Sequence, residues 1–491
     1  MNKVWMLLPI VYPLITGAIL PLFKFSKRKS RNIYVEVVTF INSVFVWMLL
    51  LNQPKGVFRA LNLAGDLEIT FRIDGLSMVF AGLVAILWPL ATLYAFEYME
   101  HLGKEDTFFT FYIMTYGITI GIAFASNLMT LYMFYEMLTL VTLPLVMAGM
   151  SREAIMAGRK YILYSMGGAA FAFIGFIFIF IYGISMSFVP GGVLASAGTV
   201  GRQRILRAVY VLAVLGFGVK AAVFPFHGWL PSASIAPTPV TALLHAVAVV
   251  KAGAFAIIRI TYYSFGTDFL KGTAAQYIVM GFSIVTIVYG STRALKEPHF
   301  KRRLAYSTVS NLSYIVFGAS LMTPLGFTAA LSHMIYHAVI KITLFFCAGA
   351  VLHKTHREYV RELDGLGRKM PVTFAAFTLG SLALIGVPPL PGFISKWNLC
   401  TAAAAEGSTM AYIGIAALLI SALLTALYIL TIVLRAYFPR ADFDYETLGY
   451  IRDPKWQMCF PFGVFMLMMI GLSFTAPQLM NFFNSIQISL H

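Results

Sequence analysis

Five ionisable side chains stand where an apolar chain should not tolerate them. Glu136 lies in LYMFYEMLTLVTLPLV, Lys220 and Lys251 lie inside two apolar segments of residues 215–256, Lys341 lies in SHMIYHAVIKITLFF, and Lys396 follows GVPPLPGFIS. A lysine in hydrocarbon costs about 2.5–3.5 kcal/mol on insertion scales, so its retention implies a use. Its single mobile amine can pass a proton, whereas an arginine cannot be deprotonated. Glu136 sits eight residues into its segment, roughly 12 Å deep at ~1.5 Å rise per residue, beyond easy escape to an interface. The chemistry these residues suit is proton or ion handling. Pairing Glu136 with Lys220 would hold both charged, and separating the pair would free the lysine proton.

Four histidines extend the set. His333, His337 and Lys341 are spaced i, i+4, i+8 and form one stripe of a helix. Neutral imidazole both donates and accepts, which suits a relay between waters. The His333/His337 pair could also hold a metal, but no acidic ligand accompanies it, so no metal and no cofactor are expected. His245 precedes Lys251 in LLHAVAVVK, and His227 lies beside a break as an auxiliary group. Each histidine could instead be a packed core residue. Arg259 and Arg435 lie near helix ends, where snorkelling to the interface is the default. Glu136 is the only acid placed firmly inside a span.

Beside these charges the helices break. Pro225 lies five residues after Lys220, with Gly228, Pro231, Pro237 and Pro239 following; Pro388, Pro389 and Pro391 precede Lys396. Proline removes a helical hydrogen bond, and the freed backbone groups are tolerated at depth only inside protein or beside a wet cavity. Water next to Lys220 and Lys396 is the expectation; a dry kink is the alternative.

Composition places these residues in a bilayer. Of 491 residues, 59% are hydrophobic and 11% charged, against about a quarter charged in soluble domains. The net charge of +16 could signal nucleic-acid binding, but the basic residues collect in loops on one side, the positive-inside asymmetry. Cys347, Cys400 and Cys459 are scattered and form no metal, haem or iron–sulfur motif. The first apolar run is expected to be a retained helix rather than a cleaved signal.

The chain reads as an all-α integral membrane protein of about fourteen transmembrane helices, near residues 4–23, 33–52, 75–96, 107–126, 128–150, 160–184, then a seventh with Lys220 and an eighth with Lys251, 273–292, 303–323, 326–352, a broken twelfth, 409–437 and 457–482. The basic run Lys24, Lys27, Arg28, Lys29 and Arg31 marks a cytoplasmic loop and puts both termini outside. LEITFRID alternates with period two after Ala64-Gly65-Asp66, which suggests an external β-hairpin or, equally, an irregular loop. An acidic loop with Glu97, Glu100, Glu105 and Asp106, and the stretch from Asp442 to Glu446, offer charged docking surfaces or simply solvated faces. Breaks in the seventh and twelfth spans, five helices apart, point to an inverted repeat around a mid-membrane site.

At these residues the chain resembles a known family: the proton-conducting, antiporter-like subunits shared by Mrp-type Na⁺/H⁺ antiporters, respiratory complex I and membrane-bound hydrogenases. VKAAVFPFHGWLPSA, LLHAVAVVKAGAF, SHMIYHAVIKITLFFCAG, ELDGLGRKMP and GVPPLPGFISK carry the likeness, over about residues 70–440. It implies two inverted five-helix units and a hydrated line of charges carrying protons. The division expected is 1–106 (three helices and the hairpin), 107–265 (first repeat), 266–440 (second repeat) and 441–491 (last helix). Lys396 departs from members with glutamate there, and the chain ends without a long lateral helix or large extension. That resembles the D-type subunit of Mrp antiporters, its hydrogenase-linked relatives or the complex I subunit nearest the quinone module.

The reading is a proton-translocating subunit, with Na⁺ exchange as a variant, in a multi-subunit complex of a prokaryotic inner membrane. It has no redox or hydrolytic site of its own, so oxidoreduction would belong to partner membrane subunits. Glu136, Lys220, Lys251, Lys341 and Lys396 carry the proton. The rival is a self-contained secondary transporter of an organic anion, which would need a cluster of charges rather than a series; an inert scaffold has no reason to keep buried charges.

Overall fold

In the computed structural model, residues 2–488 are described apart from 24, 26, 66, 102, 195–198 and 441. Lys24 of the first basic run, Asp66 of the hairpin turn and part of the loop at 185–203 therefore lie outside the described residues. The helices are α1 (Leu8–Ile19), α2 (Arg28–Asn52), α3 (Gly75–Tyr98), α4 (Glu105–Phe124), α5 (Leu128–Val146), α6 (Arg152–Tyr182), α7 (Gln203–Gly218), α8 (Thr238–Phe265), α9 (Ala274–Lys296), α10 (Phe300–Ser320), α11 (Pro324–Thr355), α12 (Pro371–Ile385), α13 (Pro391–Glu406), α14 (Thr409–Tyr437), α15 (Trp456–Phe474) and α16 (Ala476–Ile488).

Eleven helical segments among the described residues are long and apolar enough to cross a bilayer, and the protein is an integral membrane protein. The three remaining expected spans miss that standard for physical reasons. α7, Gln203–Gly218, is only sixteen residues long. α10 carries a buried polar stripe, Ser307, Thr308, Ser310, Asn311 and Ser313. The twelfth span is two helices, α12 and α13, parted at Gly386–Leu390.

Several boundaries differ from the sequence expectation. α2 and α6 begin at Arg28 and Arg152, well before 33 and 160, because long basic side chains let a helix run on past its apolar stretch. The last span bends at Thr475, which separates α15 from α16. Lys220 is outside α7, two residues past its end, whereas Lys396 is inside α13, just beyond the second break as the sequence reads.

The hairpin forms: β1 (Phe58–Ala64) pairs antiparallel with β2 (Leu67–Phe71). The end of β2 is buried on both faces, at Ile69, Thr70 and Phe71, so the alternation of the sequence is not kept in burial. The chain after β2 joins the hairpin to the bundle, since the Arg72 amide donates to the Phe124 carbonyl at 2.8 Å and its guanidinium to the Phe188 carbonyl at 2.9 Å.

The core is organised around α8 and α11. Every residue of α8's most apolar window is buried, and 89% of α11's, against 28% for α15. The innermost helices are thus those bearing Lys251, His333, His337 and Lys341.

Candidate functional site

The first break runs from Val219 to Gly228. Trp229 Nε1 donates to the Val219 carbonyl at 2.7 Å, and the Phe224 amide donates to Thr286 Oγ1 of α9 at 2.9 Å, so backbone groups left open by the break find partners inside the protein. α8 presses against the break at Gly253, where a Cβ would lie 2.5 Å from the Ala221 amide nitrogen. Only a glycine allows that approach.

Lys220 is 1% exposed. Its ammonium donates to the backbone carbonyl of Tyr135 and sits 3.5 Å from the centre of the Tyr135 ring. The expected ion pair with Glu136 is absent among the described residues: the lysine reaches the carbonyl one residue before it. Glu136 Oε1 is buried with no hydrogen-bond partner. Lys220 and Glu136 still lie in one another's field, and the lack of a direct bridge has a steric reason. Tyr135 points toward the break, its hydroxyl donating to the Phe217 carbonyl at 2.9 Å, and its ring and carbonyl occupy the space beside Lys220.

Lys251, fully buried, lies 2.7 Å (Nζ) from His337 Nδ1. His337 stacks on His333 at 5.7 Å between ring centres, and His333 Nδ1 lies 2.9 Å from Ser395 Oγ. Ser395 immediately precedes Lys396, whose ammonium donates to the Leu384 and Ile385 carbonyls at 2.7 and 2.9 Å. Those carbonyls end α12, where the break at Pro388 and Pro389 leaves them without helical donors. The result is a nearly continuous chain of exchangeable groups from α8 through α11 to α13. The outer nitrogens of His333 and His337 remain buried without a partner, as relay groups served by water would be.

One turn along α11 from His337, Lys341 is fully buried, donating to the Leu304 carbonyl at 2.9 Å and to Ser307 Oγ of α10. His245 is also fully buried, in a π-helical turn of α8, and neither ring nitrogen is paired. His227 packs against Tyr289 at 4.7 Å and Phe224 at 5.7 Å. It is 8% exposed, with an unpaired Nδ1. Between Lys220 and Lys251, no side-chain hydrogen bond joins the two sets among the described residues.

Other buried charges escape the sequence reading. Arg259 does not snorkel: it is fully buried and grips Asp74 with two bonds of 2.6 and 2.7 Å. Lys301 belongs to a second basic run, Arg293, Lys296, Lys301, Arg302 and Arg303, that reads in the sequence as another cytoplasmic marker, yet it is 5% exposed and donates to the Ala236 carbonyl at 2.8 Å. Glu136 is not the only interior acid. Glu97 is fully buried, 3.2 Å from Lys354, and accepts from the Lys455 amide at 2.9 Å. Glu105 is 6% exposed and pairs with Arg28 at 2.8 Å and with Arg31; Glu100 pairs with Lys455 at 3.0 Å and Asp106 with Arg31 at 3.3 Å, so all four acids of this loop are committed within the chain. The signal available for Lys301 was its place at the head of α10's polar stripe, seven residues before Thr308 and so on the same face.

A cavity of 1060 Å³ opens beside the first break, lined by Arg152, Arg159, Lys160, Arg293, Arg302 and Ser232 among others. It brings the surface close to Gly228, next to His227.

Comparison with known proteins places this arrangement. Residues 125–425 match the family described as NADH:quinone oxidoreductase/Mrp antiporter, TM, and residues 62–109 match that of the complex I chain 5 N-terminus. The A-type subunit of the Na⁺/H⁺ antiporter of Alkalihalophilus pseudofirmus is 32% identical over 414 residues, 80% of this chain and 50% of that protein. The NADH-quinone oxidoreductase subunit N of Desulforudis audaxviator is 33% identical over 369 residues, 74% of this chain and 72% of that one. The chain thus spans half the length of the antiporter protein. Among solved structures, a chain of an archaeal membrane-bound sulfane sulfur reductase superposes with a TM-score of 0.87 at 22% identity, covering 99% of this chain and 97% of its own. A chain of the Mrp complex from Dietzia sp. DQ12-45-1b gives 0.84 at 19% identity, covering 100% and 98%. With the family match extending over more than half of its length, the chain belongs to the NADH:quinone oxidoreductase/Mrp antiporter transmembrane family.

Proposed function

We propose that this chain is the proton-translocating membrane subunit of a multi-subunit antiporter or complex I-like respiratory assembly, moving protons along Glu136, Lys220, Lys251, Lys341 and Lys396. His245, His333 and His337 bridge the lysines, and His227 serves the side of the first break. The observation that carries this reading is the chain from Lys251 through His337, His333 and Ser395 to Lys396, built from three helices in the buried centre. Each member can give up or take a proton at the atom facing its neighbour. A dry, inert core would not gather such groups, given the cost of each.

Residues 107–265 and 266–440 act as two antiporter-like units, each with a broken helix, flanked by 1–106 and 441–491. The partners are other membrane subunits, and the exposed stretch from Asp442 to Glu446 offers them a charged surface. The relatives named as Na⁺/H⁺ and K⁺/H⁺ antiporter subunits favour exchange with a monovalent cation in at least one setting. The location is a prokaryotic inner membrane, with both termini outside. An organic-anion carrier would need its charges clustered round one pocket, whereas these are strung over α5, the first break, α8, α11 and α13.

The test is proton movement by the purified complex in proteoliposomes, followed with a pH-sensitive dye under an imposed driving force. Lys341→Ala should abolish the signal in an assembled complex. Unchanged proton movement, or uptake of an organic anion that needs the same lysines, would overturn the reading.

A further inference from the structure

Away from the central row, the interface of α2, α3 and α4 holds a second set of buried polar groups. Trp88 of α3 stacks on Tyr116 of α4 at 4.7 Å and lies 5.3 Å from Tyr112. Ser43 of α2 bonds the Tyr116 hydroxyl at 2.8 Å, and Asn42 faces the same hydroxyl. The Tyr112 side chain faces Thr92 of α3 and Glu36 of α2. Asn42, Trp88 and Tyr112 are all fully buried. Even so, beyond the approaches of Asn42 to Tyr116 and of Tyr112 to Thr92, both amide atoms of Asn42, Trp88 Nε1, the Tyr112 hydroxyl and Glu36 Oε2 lack a well-formed hydrogen bond among the described residues.

Buried polar atoms in native proteins are satisfied by protein or by ordered water. Here four side chains from three helices converge with those atoms unsatisfied by protein. Pro89, next to Trp88, also removes the main-chain donor to the Ala85 carbonyl. Glu36, half-buried, lies at the end of the set nearer the basic start of α2. The charged groups around it are accounted for: Arg31, on the same helix, is engaged by Glu105 and Asp106 of α4. From α4, Tyr112 lies within its field, and the acid of α3, Glu97, is engaged by Lys354.

We propose that this interface is a second hydrated site, in which ordered water joins Asn42, Trp88 and Tyr112 to Glu36, and Glu36 exchanges the site's proton with that water. The exchange moves a proton between the carboxyl group and one water molecule, with no other bond changed. The site is separate from the lysine row, so its failure and that of the conduction proposal are distinguishable.

The experiment is hydroxyl-radical footprinting by pulsed radiolysis of the intact complex in lipid nanodiscs, where bound water is the radical source. Tyr112 and Trp88 should be labelled several-fold faster than Tyr94, which is as buried but has its hydroxyl satisfied by the Phe346 carbonyl at 2.8 Å. Asn42→Leu should slow the labelling of both. Infrared difference spectra in H₂O and D₂O should show a carboxyl band that shifts on exchange and is lost in Glu36→Gln. Labelling of Tyr112 as slow as that of Tyr94 overturns the hydrated site. A spectrum unaltered by Glu36→Gln overturns the role of Glu36, and labelling suppressed by added Na⁺ overturns the proton in favour of a cation.

Discussion

Lys251 and His337 meet across the α8–α11 interface with 2.7 Å between Nζ and Nδ1. An ammonium has only donors, so when Lys251 is charged the imidazole accepts at Nδ1 and carries its own proton on Nε2. That outer nitrogen is buried with no partner among the described residues, and a proton leaving it can be replaced at Nδ1 from the lysine side. His337→Gln keeps a side chain able to accept from Lys251 but cannot be protonated and deprotonated in turn. Its proton movement in proteoliposomes should fall at least about tenfold, equivalent to ~1.4 kcal/mol of barrier, while assembly of the complex persists. A rate matching the unaltered protein would remove His337 from the path.

Glu136 and Lys220 are near neighbours without contact, since the lysine rests on the Tyr135 carbonyl. Movement of a single side chain would exchange that carbonyl for the carboxylate, which makes the pair a two-position element rather than a fixed bridge. Glu136→Ala removes one position. Proton movement should drop while Lys220 keeps its backbone partner and the protein its thermal stability. A large loss of stability with the coupling ratio unchanged would mean that Glu136 serves packing instead.

The spans, both breaks and the central lysines were legible because each rests on a local rule: apolar length, proline chemistry, and the cost of charge in hydrocarbon. The His333, His337 and Lys341 stripe was legible from spacing alone. Partnerships were not. Whether Lys220 meets Glu136 or a carbonyl depends on where the Tyr135 ring packs, which no spacing encodes. Arg259 and Lys301 were misread because a basic residue near a helix end usually reaches solvent. The fold instead places Asp74 and the Ala236 carbonyl, distant in sequence, beside them.

The Arg259–Asp74 pair should be the most costly charge contact to break. Arg259 is 1% exposed at its side chain and Asp74 21%, so removing the acid leaves a guanidinium with little access to water. Asp74→Ala should cost about 3–5 kcal/mol, seen as a lowered thermal midpoint, and Asp74→Leu with Arg259→Met should recover much of it. Burial pushes the Asp74 carboxyl up, but Arg259, the Ser77 amide and Arg72 outweigh it and hold it well below the usual carboxylate range. A depressed folded-state value means that this stability is present above the unfolded value of about 3.9 and is lost as pH falls through the folded one. Stability of the unaltered protein should therefore decline in acid more steeply than that of the Leu/Met variant.

Gly392 tests whether the second break positions its lysine. A Cβ there would lie 1.8 Å from the Ala383 carbonyl oxygen, a backbone atom of α12 that cannot swing aside. Gly392→Ala must therefore push α13 away from the end of α12, drawing Lys396 off the Leu384 and Ile385 carbonyls and Ser395 away from His333. Overpacking of this kind costs about 1–3 kcal/mol, and proton movement should fall beyond what that loss of stability explains. Gly463→Ala is the control: nothing lies within 4 Å of its added methyl group, so stability should change by less than about 0.5 kcal/mol with conduction intact. Equal behaviour of the two variants would show that Lys396 does not depend on the close seating of α13 against α12.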